Sequence, residues 1–384
     1  MSELSKLGRA PLRVLAVIDT VQISGPGKQL VASIPVLKQG GVDVEVVVFH
    51  REGRPISPFA ELLKSDGIPH TILPESRPFD TALLRRFTDL LRNRSPDLVQ
   101  THGYKPTACM FVHRAMGSTI PWVAFFHGST SENVKVRMYH MLDSLLMRRA
   151  DHTVVMSQHH RTSTRFRNTN TSVIYNAVLK PAYGDRFSLR TMRSQTQPVR
   201  LAAVGRLSPE KGMDVLLHAC HLLHREGFRF ETTIAGDGPE RGALTRLCTE
   251  LDLSAHVSFV GHCDNTDDIY KSTNALVIPS RSEGLPNVLL EAMRFGTPVI
   301  ATTVGAIPEV LSDSSAGMLC PPDDPVTLAA AIRKGSTVEY AIDGLHAREQ
   351  ILKQFSLERR CLALRNLYET LTSRSHISQD SNAH

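Results

Sequence analysis

The apolar run Leu12-Arg13-Val14-Leu15-Ala16-Val17-Ile18 stops at Asp19, and beyond Ser24-Gly25-Pro26-Gly27-Lys28-Gln29 the spacing changes to Leu30, Ile34 and Leu37. A continuous run followed by a helical period predicts a strand, a glycine-rich turn and a helix start. The alternation repeats. Further strands are expected at Val42 to Phe49, Asp97 to His102, Trp122 to Gly128, Asp151 to Ser157, Val199 to Val204, within Thr232 to Pro239 and Val257 to His262, at Leu276 to Ile278 and at Thr297 to Thr302. Strands of this kind, separated by helical patterns, build parallel sheets covered on both faces.

Two longer segments read as helices. From Glu132 to Arg149, Val136, Tyr139, Met141, Leu142, Leu145, Leu146 and Met147 recur at helical spacing among Lys135, Arg137, Arg148 and Arg149. Such a face packs into a core by default, with an interfacial helix on a membrane as the alternative. From Phe355 to Leu371, the positions Leu357, Cys361, Leu364, Leu367, Tyr368 and Leu371 make an amphipathic helix, and the polar residues after Ser373 are expected to fray. Asp323, Asp324 and Pro325 signal another helix start. Between Lys180 and Pro198, Pro181, Gly184, Ser188 and Ser194 have linker composition, which sets the expected domains at 1–190 and 196–355.

The 384 residues, 41% hydrophobic and 21% charged, suffice for two domains of roughly 150–200 residues each. Six cysteines (Cys109, Cys220, Cys248, Cys263, Cys320, Cys361) form no C-x-x-C pair and fall mostly in apolar or helical patterns. Reduced core thiols are expected, which fits a cytoplasmic setting. Met1 to Leu12 is too short and polar for a signal peptide, and no apolar run approaches the ~18 residues of a spanning helix. Charge is uneven. Residues 1–193 hold 26 Lys and Arg against 15 Asp and Glu, near +11, whereas the remainder holds 18 against 23, near −5. A basic half is either a solvated surface or one that faces a polyanion. Without interleaved aromatic and basic residues, an anionic membrane is favoured over nucleic acid.

Candidate chemistry concentrates in the second half. Leu276 to Ser280 runs into Arg281-Ser282-Glu283-Gly284-Leu285-Pro286-Asn287, then Val288-Leu289-Leu290-Glu291-Ala292-Met293, then Thr297 to Thr302. This is a strand, a polar loop, a crossover helix and a second strand, and ligands of parallel sheets gather at the carboxyl ends of strands. With a helix start near Pro286, Glu283 falls in the loop and Glu291 in the second turn. The amides of Gly284, Leu285, Asn287 and Val288 then suit hydroxyl or phosphate oxygens. A second anion site is expected in Gly205-Arg206-Leu207-Ser208-Pro209-Glu210-Lys211-Gly212. Ser208 as N-cap and Pro209 at the first helical position would start a helix carrying Met213, Leu216, Leu217, Cys220 and Leu223, so that Arg206 and Lys211 point at one spot.

Single residues are weaker signals. His102 and His127 each close a strand, where a histidine either meets a ligand or packs. Gly25 and Gly27 allow close approach of a ligand, although Pro26 between them removes one donor. Asp237 lies in an ordinary Gly-Asp-Gly turn, and Glu309 reads as a helix-start acid.

Taken together, residues 283–293, Glu-Gly-Leu-Pro-Asn-Val-Leu-Leu-Glu-Ala-Met, resemble the E-x7-E signature of the retaining family-4 glycosyltransferases with the GT-B fold, in a form common among those that build polysaccharides and glycolipids. Gly205-Arg206-Leu207 followed by Lys211-Gly212, and Phe126-His127-Gly128, are similar to further motifs of that family. The resemblance implies an α/β protein of two Rossmann-like parallel-sheet domains facing across a cleft, with a C-terminal helix at about 356–373 crossing back to the first. It implies that Arg206 and Lys211 hold the donor diphosphate, that Glu283 and the amides of Gly284, Leu285, Pro286's neighbour Asn287 and Val288 hold the sugar, and that Glu291 holds the ribose. Backbone at Val260 and Gly261 would meet the base, His127 the sugar or leaving group, and the Gly25 to Gly27 loop the donor diphosphate and acceptor. By the same resemblance the donor is a UDP- or GDP-linked sugar, the acceptor a carbohydrate or lipid-linked oligosaccharide, and the anomeric configuration is retained. The setting would be cell-surface polysaccharide, exopolysaccharide, lipopolysaccharide or glycolipid synthesis, in the cytoplasm or on the inner face of the plasma membrane.

A sugar leaves a diphosphate readily once the developing charge is neutralised, which Arg206, Lys211 and helix amides can do. No two aspartates stand two apart, so the D-x-D mark of a metal-dependent glycosyltransferase is absent, and neither metal nor cofactor is expected. Three other functions use similar residues. They are a nucleotide-sugar epimerase of the same fold, an inactive sugar-nucleotide-binding subunit, and a glycosidase with paired glutamates ~5–9 Å apart. The basic pair beside the glutamates argues against the glycosidase, and the intact Arg, Lys and Glu positions against the inactive subunit.

Overall fold

The computed structural model describes residues 10–77, 80–128, 134–166, 169–179, 197–263, 265–311, 317–335 and 348–380. The chain divides into two compact units, one of Met1–His127, Met138–Asn176 and Leu357–His384, the other of Gly128–Arg137 and Ala177–Ser356. Apart from its last positions, the linker expected at Lys180 to Pro198 lies outside the described residues.

The first unit is built on a seven-stranded sheet of β1 (Leu12–Ile18), β2 (Val42–Arg51), β3 (His70–Glu75), β4 (Leu98–His102), β5 (Trp122–Phe126), β6 (His152–Val155) and β7 (Thr171–Val173). Every pairing is parallel, in the order β3-β2-β1-β4-β5-β6-β7. Every residue of β4 and β5 is buried, which is why β5 reads as an unbroken apolar run, while β4 buries Gln100, Thr101 and His102 as well. The edge strand β3 carries Pro74, tolerable where one flank needs no donor.

The helix Gly25–Gln39 buries Leu30, Ile34 and Leu37 and packs against the helix Leu357–Asp380. From that last helix Tyr368 Oη donates to Gln100 Oε1 of β4 at 2.5 Å, and Arg360 donates to the carbonyls of Ile174 and Tyr175 at 3.3 and 2.6 Å. The terminal helix thus belongs to the first unit. It continues to Asp380 instead of fraying after Ser373, since neither glycine nor proline interrupts it.

The second unit holds β8 (Val199–Val204), β9 (Phe230–Ala235), β10 (Val257–Gly261), β11 (Ala275–Ile278), β12 (Val299–Thr302) and β13 (Gly317–Cys320). They too are parallel, in the order β10-β9-β8-β11-β12-β13. Leu216, Leu217, Leu223, Ile300, Leu328 and Ile332 belong to its core, each contributing about 1.5–3 kcal/mol by burial. In both sheets the strand order reverses once, between β1 and β4 and between β8 and β11. Such reversals open a crevice at the carboxyl ends of the strands.

The helix expected from Pro209 is broken in two. Pro209–Lys211 is a single 3-10 turn, and the helix proper is Met213–Arg225. Gly212 separates them at φ +63°, and a Cβ there would collide with the Pro279 carbonyl. Ser208 makes no capping bond; its hydroxyl donates to Glu210 Oε1 at 2.6 Å.

Candidate active site

At the reversal of the second sheet, the loop after β8 meets the loop after β11. Lys211 Nζ lies 2.7 Å from Glu283 Oε1, and Ser280 Oγ donates to the same oxygen at 2.7 Å. The Glu283 side chain is only 8% exposed and that of Lys211 25%, so the pair is strongly shielded from water. Thr302 at the end of β12 donates to the Ser280 carbonyl at 2.5 Å, and the Arg281 amide donates to the Glu210 carbonyl at 2.8 Å. Glycines let these loops touch backbone to backbone. A Cβ on Gly236 would strike the Gly205 carbonyl, one on Gly238 that of Leu207, and one on Gly305 that of Glu283. A rigid rim of main chain therefore surrounds the Lys211 and Glu283 side chains.

The helix Asn287–Arg294 begins after Pro286, with Gly284, Leu285 and Pro286 buried beneath it and Asn287 and Val288 partly exposed. Glu291, in its second turn, accepts a hydrogen bond from Tyr270 Oη at 2.8 Å. Tyr270 is fully buried, and burial together with the Glu291 charge pushes its phenol well above the ordinary value, so the hydroxyl stays protonated and donates. Arg206 is exposed at the end of β8. Val260 is exposed at the end of β10, and the Gly261 carbonyl accepts from the Gly236 amide at 2.7 Å.

Sequence reasoning missed Tyr270 and Arg281. Arg281 grips Asp214 through both carboxylate oxygens at 2.8 and 2.6 Å, Asp323 at 2.5 Å and the Pro209 carbonyl at 2.7 Å, tying three loops together. Burial opposes ionisation of Asp214, but the Arg281 hydrogen bonds outweigh it and lower its carboxyl below the usual range. Arg281 stands inside the loop that displays Glu283, which was the available signal.

In the first unit, His102 and His127 close the neighbouring strands β4 and β5. His102 Nδ1 and His127 Nε2 are hydrogen-bonded at 2.9 Å with the rings stacked, and Phe125 stacks on His102 at 4.5 Å between centroids. Burial, then the neighbouring His127 and Arg360, hold His102 well below the ordinary imidazole value. Burial and then Arg360 lower His127 to about 3. Both rings are neutral at pH 7, and one nitrogen of the shared bond donates while the other accepts. Gly27 is buried against Phe59, where a Cβ would sit 2.8 Å from Phe59 Cε2, and its amide donates to Ser24 Oγ at 3.3 Å. Packing thus explains Gly27, while Gly25 is the first residue of its helix. At the carboxyl ends of β1, β2 and β3 lies a cluster not foreseen: Lys105 Nζ contacts Asp19 at 3.1 Å and Glu75 at 3.0 Å, and Arg51 contacts Glu75 at 3.1 Å. Burial raises the Asp19 carboxyl despite the Lys105 charge.

Two doubly wound parallel-sheet units, the second with a shielded Lys and Glu at its strand reversal, define a protein of the GT-B class. Two family models match the chain, Glycosyltransferase Family 4 over residues 24–178 and Glycosyl transferases group 1 over residues 198–336. The chain belongs to this glycosyltransferase family. The amylovoran biosynthesis glycosyltransferase AmsK of Erwinia amylovora is 30% identical over 197 residues, 49% of this chain and 48% of the relative. A glycogen synthase of Mycobacterium tuberculosis is 28% identical over 255 residues, 63% and 60% of the two chains. The chain spans about half the length of curated relatives that it matches, AmsK among them. Among solved structures, Anabaena HepE in complex with UDP superposes with a TM-score of 0.75 at 19% identity, covering 94% of this chain and 100% of that one. Sucrose-phosphate synthase from Thermosynechococcus elongatus does so with 0.75 at 21%, covering 94% and 100%.

Proposed function

We propose that this glycosyltransferase moves a sugar from a UDP- or GDP-linked donor to a hydroxyl of a carbohydrate or lipid-linked oligosaccharide, with retention of anomeric configuration and without a metal, in polysaccharide or glycolipid synthesis at an anionic membrane surface. The observation that carries this reading is the Lys211 and Glu283 contact at the sheet reversal. Lys211 and Arg206 neutralise the leaving diphosphate by electrostatic preorganisation. Glu283 and the amides of Gly284 to Val288 hold the sugar, and Glu291, fixed by Tyr270, holds the ribose. His127 donates or accepts a hydrogen bond as a neutral ring, and Val260 and Gly261 line the base. Relatives that build amylovoran and colanic acid support the polysaccharide setting, and the UDP complex of a structural neighbour supports the donor class.

The test is calorimetric titration with UDP and GDP, followed by a nucleotide-sugar panel with a membrane lipid extract, read by mass spectrometry. Binding of one nucleotide and a glycosylated lipid product, formed equally in EDTA and with the donor's anomeric configuration by NMR, is expected. No nucleotide binding would remove the donor assignment. Turnover of the nucleotide sugar alone to its epimer would replace the transferase by an epimerase.

A further inference from the structure

The helix Val134–Met147 is inside out over its described side chains. Met138, Met141, Leu142 and Leu145 stand 60%, 71%, 47% and 59% exposed, at the i, i+3, i+4, i+7 spacing of one helical face. The opposite face buries Asp143 and Ser144 along with Met147. Asp143 faces Thr107 and Arg165, leaves its Oδ1 without a partner, and is raised by burial to about 6. A globular helix ordinarily does the reverse, hiding its methionines and leucines and showing its aspartate. Directly after the helix, Arg148 and Arg149 are exposed. The unit to which residues 138–176 belong contains 24 Lys and Arg against 16 Asp and Glu in sequence, a net charge of +8.

We propose that this stripe, Met138, Met141, Leu142 and Leu145 with Arg148 and Arg149 at its end, docks the protein on an anionic lipid bilayer. The proposal rests on the membrane-facing part of the function above and gives it a surface. Four flexible aliphatic side chains enter the acyl boundary while the arginines meet lipid phosphates, the division of labour of an interfacial helix. Among the described side chains the stripe has no exposed aromatic anchor of the kind that dominates protein interfaces, and its charge complements phosphatidylglycerol rather than a neutral surface. No helix among the described residues is long and apolar enough to cross a membrane, so the contact is lateral.

The experiment is flotation of the full chain with vesicles of phosphatidylcholine alone or mixed with phosphatidylglycerol, alongside nucleotide titration of the same samples. Wild type is expected to float with the mixed vesicles and to release at high salt, with Met141→Glu/Leu145→Glu reducing partitioning by about tenfold or more. Arg148→Glu/Arg149→Glu is expected to erase the preference for anionic lipid. Three results overturn the proposal: no vesicle binding by wild type, binding unchanged in both double variants, or wild-type dimers by sedimentation velocity that Met141→Glu/Leu145→Glu converts to monomers without any vesicle binding. Nucleotide affinity separates the two levels. If it persists while vesicle binding is absent, the docking surface and the membrane setting fall and the donor assignment stands; if wild type binds vesicles but no nucleotide, the donor assignment falls instead.

Discussion

Lys211 and Glu283 lie 72 positions apart in sequence and 2.7 Å apart in space, because β8 and β11 are neighbours at the point where the strand order turns back. In the function proposed above, a diphosphate takes over Lys211 while a sugar hydroxyl takes over Glu283. Lys211→Ala is therefore expected to weaken nucleoside-diphosphate binding by about 1–3 kcal/mol, the range for a charged hydrogen bond. Calorimetry checks this, and unchanged affinity would take Lys211 out of the site. Glu283→Gln keeps the shape but not the charge, and should lower kcat by at least ~100-fold, as loss of a transition-state contact worth about 2.7 kcal/mol does.

In the proposed site Tyr270 acts through Glu291, to which its hydroxyl donates. Removing its hydroxyl in Tyr270→Phe leaves a buried ring in place and frees the carboxylate, which should cost about 0.5–1.5 kcal/mol of nucleotide affinity. The diagnostic measurement compares a ribonucleoside diphosphate with its 2′,3′-dideoxy analogue. Wild type should discriminate and the variant much less; equal discrimination in both would show that Glu291 does not hold the ribose.

Gly212 is needed for its missing side chain and for its φ of +63°. Gly212→Ala incurs about 1–2 kcal/mol from the left-handed backbone alone, before the collision with the Pro279 carbonyl is relieved. Urea unfolding of the variant should show at least that loss. A variant as stable as wild type would mean that the two loops part easily.

The histidine pair makes the first unit acid-sensitive. An unfolded histidine takes a proton near pH 6.5, whereas His127 resists until about pH 3 and His102 also titrates well below the ordinary value. Between those values the unfolded chain binds more protons, so this stabilisation is complete above pH 6.5 and declines as pH falls toward 3, by at most about 1.4 kcal/mol per pH unit per ring. Urea midpoints from pH 7 to pH 4 should fall more steeply for wild type than for His102→Gln/His127→Gln. Parallel curves would show that the rings are already protonated.

The central strand β5 was legible because burial on both faces leaves no polar alternation to confuse it, and both β4 and β5 match the expected strands nearly residue for residue. The strands β3, β7 and β13 were not foreseen. All three are sheet edges with mixed or partial burial, and β3 carries Pro74, so each has little apolar pattern of its own. The strings containing Lys211 and Glu283 were readable as motifs, but Tyr270 sits in a six-residue helix with no period, and only the fold brings it to Glu291. Periodicity located the helix Val134–Met147 without revealing which face turns inward, since a stripe of methionine and leucine reads the same whether it meets a core or a bilayer.

The helix Leu357–Asp380 supplies Tyr368 to Gln100 and Arg360 to the carbonyls that follow β7, so the first sheet is closed by residues made after the second unit. During synthesis on the ribosome, the amino-terminal strands must wait with their Gln100 side unsealed while the whole second unit emerges and folds. A gene fragment ending near Asn176 would accordingly yield an incomplete body prone to aggregation, whereas splicing residues 357–380 onto it through a short linker should restore a soluble one.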